Sequence, residues 1–371
     1  MSTSSPSTTQ RRPTFRTLAS SFSSISDDGS HQPNIREDGK LMVHRANEGT
    51  PFTDAEIKGV CNSIQNLLPQ DAPVKFDDLK QLLKDVAHLS HKNWDVTSEN
   101  SDKLSNCLSI SSDDEIVGSS PITPHAQQLL ERILKEGNWN GAIENAPLGG
   151  SNQEKPWAVL VTGVNGIRKT TSLYQPWFDE LLEEAICCPS GTKGGVERPK
   201  NLPTGSNSFF RQLDHMIATL CNEEFCKLYY WAKSQLSSDK GTLPSNDVVQ
   251  GYSEYKAAIF SRYRTLSELL GALLLKQANK VNINCLMETS GKDVAMFHYV
   301  DHFFDASKYN KLALHFTIND LECAKQSVDR RMTQEIQNGA KAIKTQDAFD
   351  ITYTNAGGPY GSKGKLVLIN P

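Results

Sequence analysis

Trp157-Ala158-Val159-Leu160-Val161-Thr162-Gly163-Val164-Asn165-Gly166-Ile167-Arg168-Lys169-Thr170-Thr171 is the stretch on which the reading of this chain turns. An apolar run breaks into a glycine turn, and Lys-Thr-Thr then opens a helical pattern. Strand, glycine-rich loop and helix in that order suit a phosphate cradle. Glycines let backbone N–H groups face an anion, the helix N-terminus adds partial positive charge, and a lysine supplies a full one. The hydroxyl of Thr170 follows the lysine, where Mg²⁺ is bound in such loops. Gly163, Lys169 and Thr170 keep the spacing G-x-x-x-x-G-K-S/T, with Arg168 in the place of the second glycine. Arg168 either adds charge to the phosphate site or crowds the cradle with its Cβ, and Gly166 is free to take the positive-φ conformation instead. The expected nucleotide contacts are Gly163, Asn165, Gly166, Arg168, Lys169, Thr170 and Thr171.

Outward from this stretch, strand and helix patterns alternate. A helix is expected from Lys169 to about Ile186, interrupted by Pro176. A Gly/Pro/Lys-rich loop covers 189–206, and helices cover 208–235 and 247–278. Residues 282–288 read as a strand leading into Thr289-Ser290-Gly291 and a helix to Phe304. Another strand, 311–318, precedes a helix over 319–338, and two late strands, 351–355 and 366–370, flank the loop 356–361. Such alternation predicts a parallel α/β sheet flanked by helices, of the P-loop NTPase type, over 151–371. Ligands of these sheets sit at the carboxyl ends of the strands, where the glycine loop and Glu288 both lie.

Phosphoryl transfer needs positioning, Mg²⁺ and cations around the moving charge. Glu288 ends an apolar strand, so Thr170 and Glu288 are the expected metal ligands, and Thr289 and Ser290 are placed to touch substrate. Lys325, Arg330 and Arg331 follow the next strand, and either arginine suits a cation that closes on the phosphates. The acceptor's proton needs a base. In Asn207-Ser208-Phe209-Phe210-Arg211-Gln212-Leu213-Asp214-His215 the best carboxylate is Asp214, with Asn207 as a helix cap or substrate contact and Arg211 as a holder of an anionic substrate. Tyr360 stands in the late Gly/Pro loop, the kind of loop that contacts the adenine base in P-loop kinases.

Four ordered landmarks now stand on the page: Gly163 to Thr171, Asn207 to Arg211, Leu286 to Gly291, and Ser327-Val328-Asp329-Arg330-Arg331. In these the chain resembles the zeta-toxin family of P-loop kinases, over roughly Trp157 to Ile318 and into the Arg330-Arg331 helix. The resemblance implies an ATP- or GTP-dependent kinase, with Mg²⁺, acting on a small hydroxyl-bearing substrate, typically a nucleotide sugar. The family's D-S-F-R-like motif supplies its catalytic aspartate. Here Asn207 stands at that position, which leaves Asp214 as the substitute base or the activity lost.

The rest of the chain sets bounds. Its 371 residues carry a formal net charge of −4, with 22% charged and 37% apolar residues, enough for a real core. The mild negative charge gives no sign of a nucleic-acid surface, and no apolar run reaches transmembrane length. Eight scattered cysteines form no C-x-x-C pair, as expected of reduced thiols in a cytoplasmic protein. Residues 1–50 are Ser/Thr-rich and read as a disordered tail; their early arginines leave an organelle transit peptide as the alternative. Residues 51–150 read as a helical accessory region with a Ser/Asp-rich linker over 95–120, packing on the core or binding a protein partner.

Three functions are compatible with these features: a kinase, a nucleotide-hydrolysing switch, and a catalytically degenerate nucleotide-binding module that recruits partners. No N-K-x-D motif supports the switch.

Overall fold

The computed structural model describes residues 34–86, 88–89, 92–111, 121–146, 155–187, 201–236, 243–290 and 294–358. At its centre is β1 (Trp157–Thr162), buried along both faces after Trp157. A strand apolar on both sides needs a sheet covered on both sides. β1 lies between β3 (Asn284–Glu288) and β4 (Asn310–His315), and β2 (Ser208–Arg211) flanks β3. The sheet is all parallel in the order β2-β3-β1-β4. From β1 the chain passes over β3 to β2, returns to β3, and then crosses β1 to reach β4. That reversal places a crevice at the carboxyl ends beside β1. The register pairs Val161 with Glu288, so the glycine loop and the carboxylate leave the sheet side by side.

Alternate residues of the strands feed two cores. Val159 and Val161, with Phe210 and Leu286, meet Leu173, Phe178 and Leu182 around α8 (Lys169–Ser172) and α9 (Pro176–Cys187). The helix expected from Lys169 is thus broken where Pro176 restarts it. Ala158 and Leu160, with Phe209, Cys285 and Met287, enter the larger core on the other face.

The larger core is organised by α12 (Asn246–Lys280), a 35-residue helix capped by Ser245. Around it, α1 (Ile35–Asn47) packs directly, α2 (Asp54–Gln65) is tied to it by the Glu56–Arg262 ion pair, and α3 (Phe76–Val86) and α4 (Trp94–Leu108) pack on it. Next in the chain come α5 (Pro124–Leu129), α6 (Glu131–Glu136) and α7 (Trp139–Glu144). Buried residues from Ile35 to Ile351 share this one core, so the described part of 51–150 is continuous with the α/β part. The Thr53 cap is present as a full capping box with Glu56.

Several expectations are corrected. Ile35–Asn47, inside the stretch read as a disordered tail, is a helix capped by the Asn34 side chain, with Ile35, Gly39 and Met42 on one buried stripe. That stripe is too short to signal itself and depends on α12, whose Tyr255 and Ala258 meet Gly39. Residues 95–108, read as linker, form α4. Thr97 and Ser101 are buried because their hydroxyls donate to carbonyls of their own helix or its cap, Asn93 and Ser98. The segment 208–235 opens not as a helix but as β2, followed by α10 (Leu213–Leu220) and α11 (Asn222–Gln235). Phe209 and Phe210 point to opposite cores, a use that helical periodicity hides.

Beyond β3, α13 (Ala295–Phe303) and α14 (Leu321–Thr345) flank β4 in the chain. The expected strand 351–355 falls largely in α15 (Ala348–Thr354), capped by Asp347, which buries Ala348, Phe349, Ile351 and Thr352 at helical spacing. Tertiary burial overrides the β-propensity of Ile351, Thr352 and Tyr353. Tyr360, the strand 366–370 and the tail before residue 34 lie outside the described residues. Among the described residues no helix is long and apolar enough to cross a membrane, and six cysteines are unpaired.

Candidate active site

The loop after β1 turns on three positive-φ residues: Gly163 at 136°, Gly166 at 88° and Arg168 at 62°. A Cβ on Gly163 would stand 2.5 Å from the carbonyl oxygen of Phe316, and one on Gly166 would overlap the carbonyl oxygen of Ala324. Both glycines are therefore demanded by conformation and by close approach. Arg168 occupies a left-handed N-cap of α8, which explains why the motif prefers glycine there. Its side chain is exposed on the cavity rim, so it adds charge there without plugging the cradle.

Lys169 is nearly buried. Its Nζ donates to the carbonyls of Gly163 (2.7 Å) and Val164 (3.1 Å) and pairs with Glu288 Oε1 at 3.0 Å. Thr170 Oγ1 donates to Glu288 Oε2 at 3.2 Å. Groups predicted from two separate stretches, Lys169 and Thr170 from the glycine loop and Glu288 from the strand end, thus converge at the ends of β1 and β3. The Thr289 N–H extends the sheet by donating to Val161 O, and Thr289 and Ser290 line the same cavity.

That cavity, about 1130 Å³, runs from the glycine loop to α6. Asn165, Gly166, Thr170 and Thr171 line one end, and Arg132 and Lys135 line it as well. Asp214, in the first turn of α10, faces it too. Burial and the Glu288 carboxylate push its carboxyl above the usual range, against the pull of Arg331, Lys256 and the Gly358 N–H. Arg331 Nη2 donates to Gly358 O at 2.7 Å. A Cβ on Gly357 (φ 116°) would come 2.7 Å from Arg331 Nη1 and 3.3 Å from Asp214 Oδ2. Only a glycine lets these two side chains share that corner.

The segment 355–358 acts as a strap across the cavity. The Ala356 N–H donates to Glu335 Oε2 at 2.7 Å, and Asn355 Nδ2 donates to Asp214 O at 3.2 Å. Glu335 is itself held by Lys256 (2.8 Å to each carboxylate oxygen) and by the Tyr252 hydroxyl. Burial brings the Lys256 ammonium down to about 8. His215, beside Asp214, is kept neutral well below its ordinary range by burial and by the charges of Arg132, Lys256 and Arg331.

Three predicted site residues fall elsewhere or serve otherwise. Asn207 caps no helix; it precedes β2 at the amino end of the sheet, about 13 Å along the strand from the cavity side. Its Oδ1 accepts from the Thr204 N–H (2.9 Å) and its Nδ2 donates to Leu202 O (2.6 Å). Arg211 lines the cavity floor, but its charge is spent on Glu268 (3.0 Å) and the Tyr299 hydroxyl (3.2 Å), with 1% of the residue exposed. It holds β2 to α12 rather than an anionic substrate. Arg330 points to solvent and donates to Gln326 O one turn back, whereas Arg331 faces the cavity: helical spacing allows only one of two neighbours to do so.

Sequence reading singled out the late Gly/Pro loop but not its hold on Asp214 and Glu335, and it missed Arg132, Lys135, Arg264 and Glu268. None sits in a motif, and each reaches the cavity only through tertiary packing. Comparison with protein-family models, with curated proteins and with solved structures gives no match to this chain.

Proposed function

We propose that the chain is an ATP- or GTP-dependent phosphotransferase acting on a small hydroxyl-bearing acceptor, in the manner of the zeta-toxin-like kinases it resembles. One observation carries this reading: Lys169, Thr170 and Glu288 meet within 3.0–3.2 Å at the mouth of a cavity that Asp214 and Arg331 also line. Few arrangements other than a phosphate cradle bring a loop lysine, a hydroxyl and a carboxylate together behind two glycines at positive φ.

The donor set suits Mg²⁺. A threonine hydroxyl and a carboxylate are hard oxygen ligands, and Thr170 and Glu288 would hold the ion. Bound there, Mg²⁺ supplies the charge that draws the terminal phosphates of the nucleotide into place. Loop N–H groups cradle the phosphates, and Lys169 exchanges the carbonyls of Gly163 and Val164 for phosphate oxygens. Asp214 takes the acceptor's hydroxyl proton. Its raised pKa makes it a stronger base than an ordinary carboxylate, which suits proton transfer near neutrality. Arg331, beside it, stabilises charge on the group in flight.

A second reading, a nucleotide-binding module without catalysis, is favoured by Asn207: the position matched to the family's aspartate carries no carboxylate and lies away from the cavity. The two separate in a screen of nucleotide sugars and other hydroxylated metabolites with labelled ATP. Labelled product is expected. Free phosphate alone would support a hydrolysing switch, and nucleotide binding with neither would support the module.

A further inference from the structure

The cavity holds more positive charge than the phosphate cradle uses. Eight cationic side chains line it against four carboxylates. Glu288 answers Lys169, Glu268 answers Arg211, and Asp214 stands beside Arg331. The fourth, Glu136, is exposed on the rim.

Arg132 is the most telling of the remaining cations. It is 7% exposed, and its Nη2 donates to Asn355 O at 2.5 Å. Its Nε and Nη1 have no hydrogen-bond partner, and no carboxylate pairs with it among the described residues. Burial pulls its pKa down, with Glu136 pulling the other way. Lys135 lies next to it in α6, and the Tyr353 ring sits 5.3 Å from the Arg132 guanidinium and 5.8 Å from the Lys135 ammonium. A buried guanidinium with two unpartnered nitrogens and no ion pair of its own is costly, and a ligand that brings an anion recovers that cost on binding. The cavity exceeds the roughly 300–1,000 Å³ of a usual single-ligand site.

We propose that Arg132 and Lys135 form a second anion subsite in this cavity, which binds a carboxylate or phosphate group carried by the acceptor. The inference rests on the phosphotransferase reading and narrows it: the acceptor bears a hydroxyl for transfer and its own oxyanion for anchoring. The helical region ahead of the sheet thereby joins the binding machinery.

The test titrates inorganic phosphate, and separately acetate, into the full chain saturated with Mg²⁺ and a non-hydrolysable ATP analogue, which occupies the glycine loop. Calorimetry or ³¹P line broadening reads the remaining site. One anion is expected to bind, at least tenfold more weakly in Arg132→Gln and in Lys135→Gln, with analogue affinity unchanged. Lys135 is exposed, so its variant reports even if Arg132→Gln misfolds. Preference for phosphate or for acetate identifies the acceptor's anion, and either result supports the subsite. No anion binding to the loaded wild type, or equal affinity in both variants, overturns it. If the analogue itself fails to bind, the phosphotransferase reading falls alone. The subsite is then read from phosphate affinity in Lys169→Ala, with and without Lys135→Gln, where an unchanged affinity overturns it.

Discussion

The glycine-loop end of the cavity and its Arg132 end are built by opposite means. At the first, one short segment, 163–171, supplies the turn, the lysine and the hydroxyl, and the adjacent strand supplies Glu288. At the second, Arg132, Asp214, Lys256, Arg331 and residues 355–358 come from five separate places in the chain. A phosphate held by backbone N–H groups needs a local conformation, which a local motif can encode. A pocket for an acceptor needs side chains from several elements, which only packing can assemble. The difference teaches which end of the cavity a local motif can encode and which end only packing can assemble.

Substitutions sharpen that contrast. Lys169→Ala should have the largest effect, loss of Mg-nucleotide binding by calorimetry, because it removes the only buried cation of the loop. Unchanged affinity would break the assignment of the first end. Asp214→Asn should reduce phosphate transfer by about 10³ while sparing nucleotide affinity. Full activity in that variant would move the base elsewhere. Arg331→Ala should lower turnover by about 10², more than it weakens binding, whereas Arg330→Ala should be silent in the same assay. Equal effects of the two would deny that only Arg331 faces the cavity.

The mildest change at the site is expected from Glu56→Gln, far from both ends. Glu56 caps α2 and joins it to Arg45 at 2.6 Å and to Arg262 of α12 at 2.9 Å. Burial pushes its carboxyl up, but the Arg262 bonds, the Thr53 N–H and Arg45 outweigh it and bring the pKa to about 2 from its usual 4.5. A depressed folded pKa stabilises fully above the unfolded value, and that contribution is lost as pH falls through the folded one. Glu56 thus contributes roughly 3 kcal/mol above pH 4.5, disappearing towards pH 2. Denaturant titrations of Glu56→Gln should show lower stability at pH 7 and a flatter decline over that acid window, with nucleotide affinity intact.

Much of the α/β part was legible. The run from Trp157 to Val161, the break at Pro176 and the strand ending in Glu288 each carry a pattern that survives without context. Legibility failed where burial came from a partner rather than from periodicity. Ile35 to Asn47 has too few apolar residues to predict a helix until α12 is beside it, and Ser208 to Arg211 is too short to announce a strand. At the site, residue type misled twice: Arg211 looked like an anion holder until Glu268 stood against it, and Asn207 looked like a cap until the sheet placed it at the wrong end.

By itself the amino-acid sequence determined the glycine loop, since a turn built on Gly163 and Gly166 is a property of nine consecutive residues. It also determined that a parallel sheet carries that loop, through the alternation of strand and helix patterns. Only the tertiary structure decided which cations stay paired, which carboxylate faces the cavity, and that Arg132 from a distant helix stands at its far end. The reason is physical: backbone conformation is chosen by neighbours in the chain, whereas the charge state and partners of a buried side chain are chosen by whatever is folded against it.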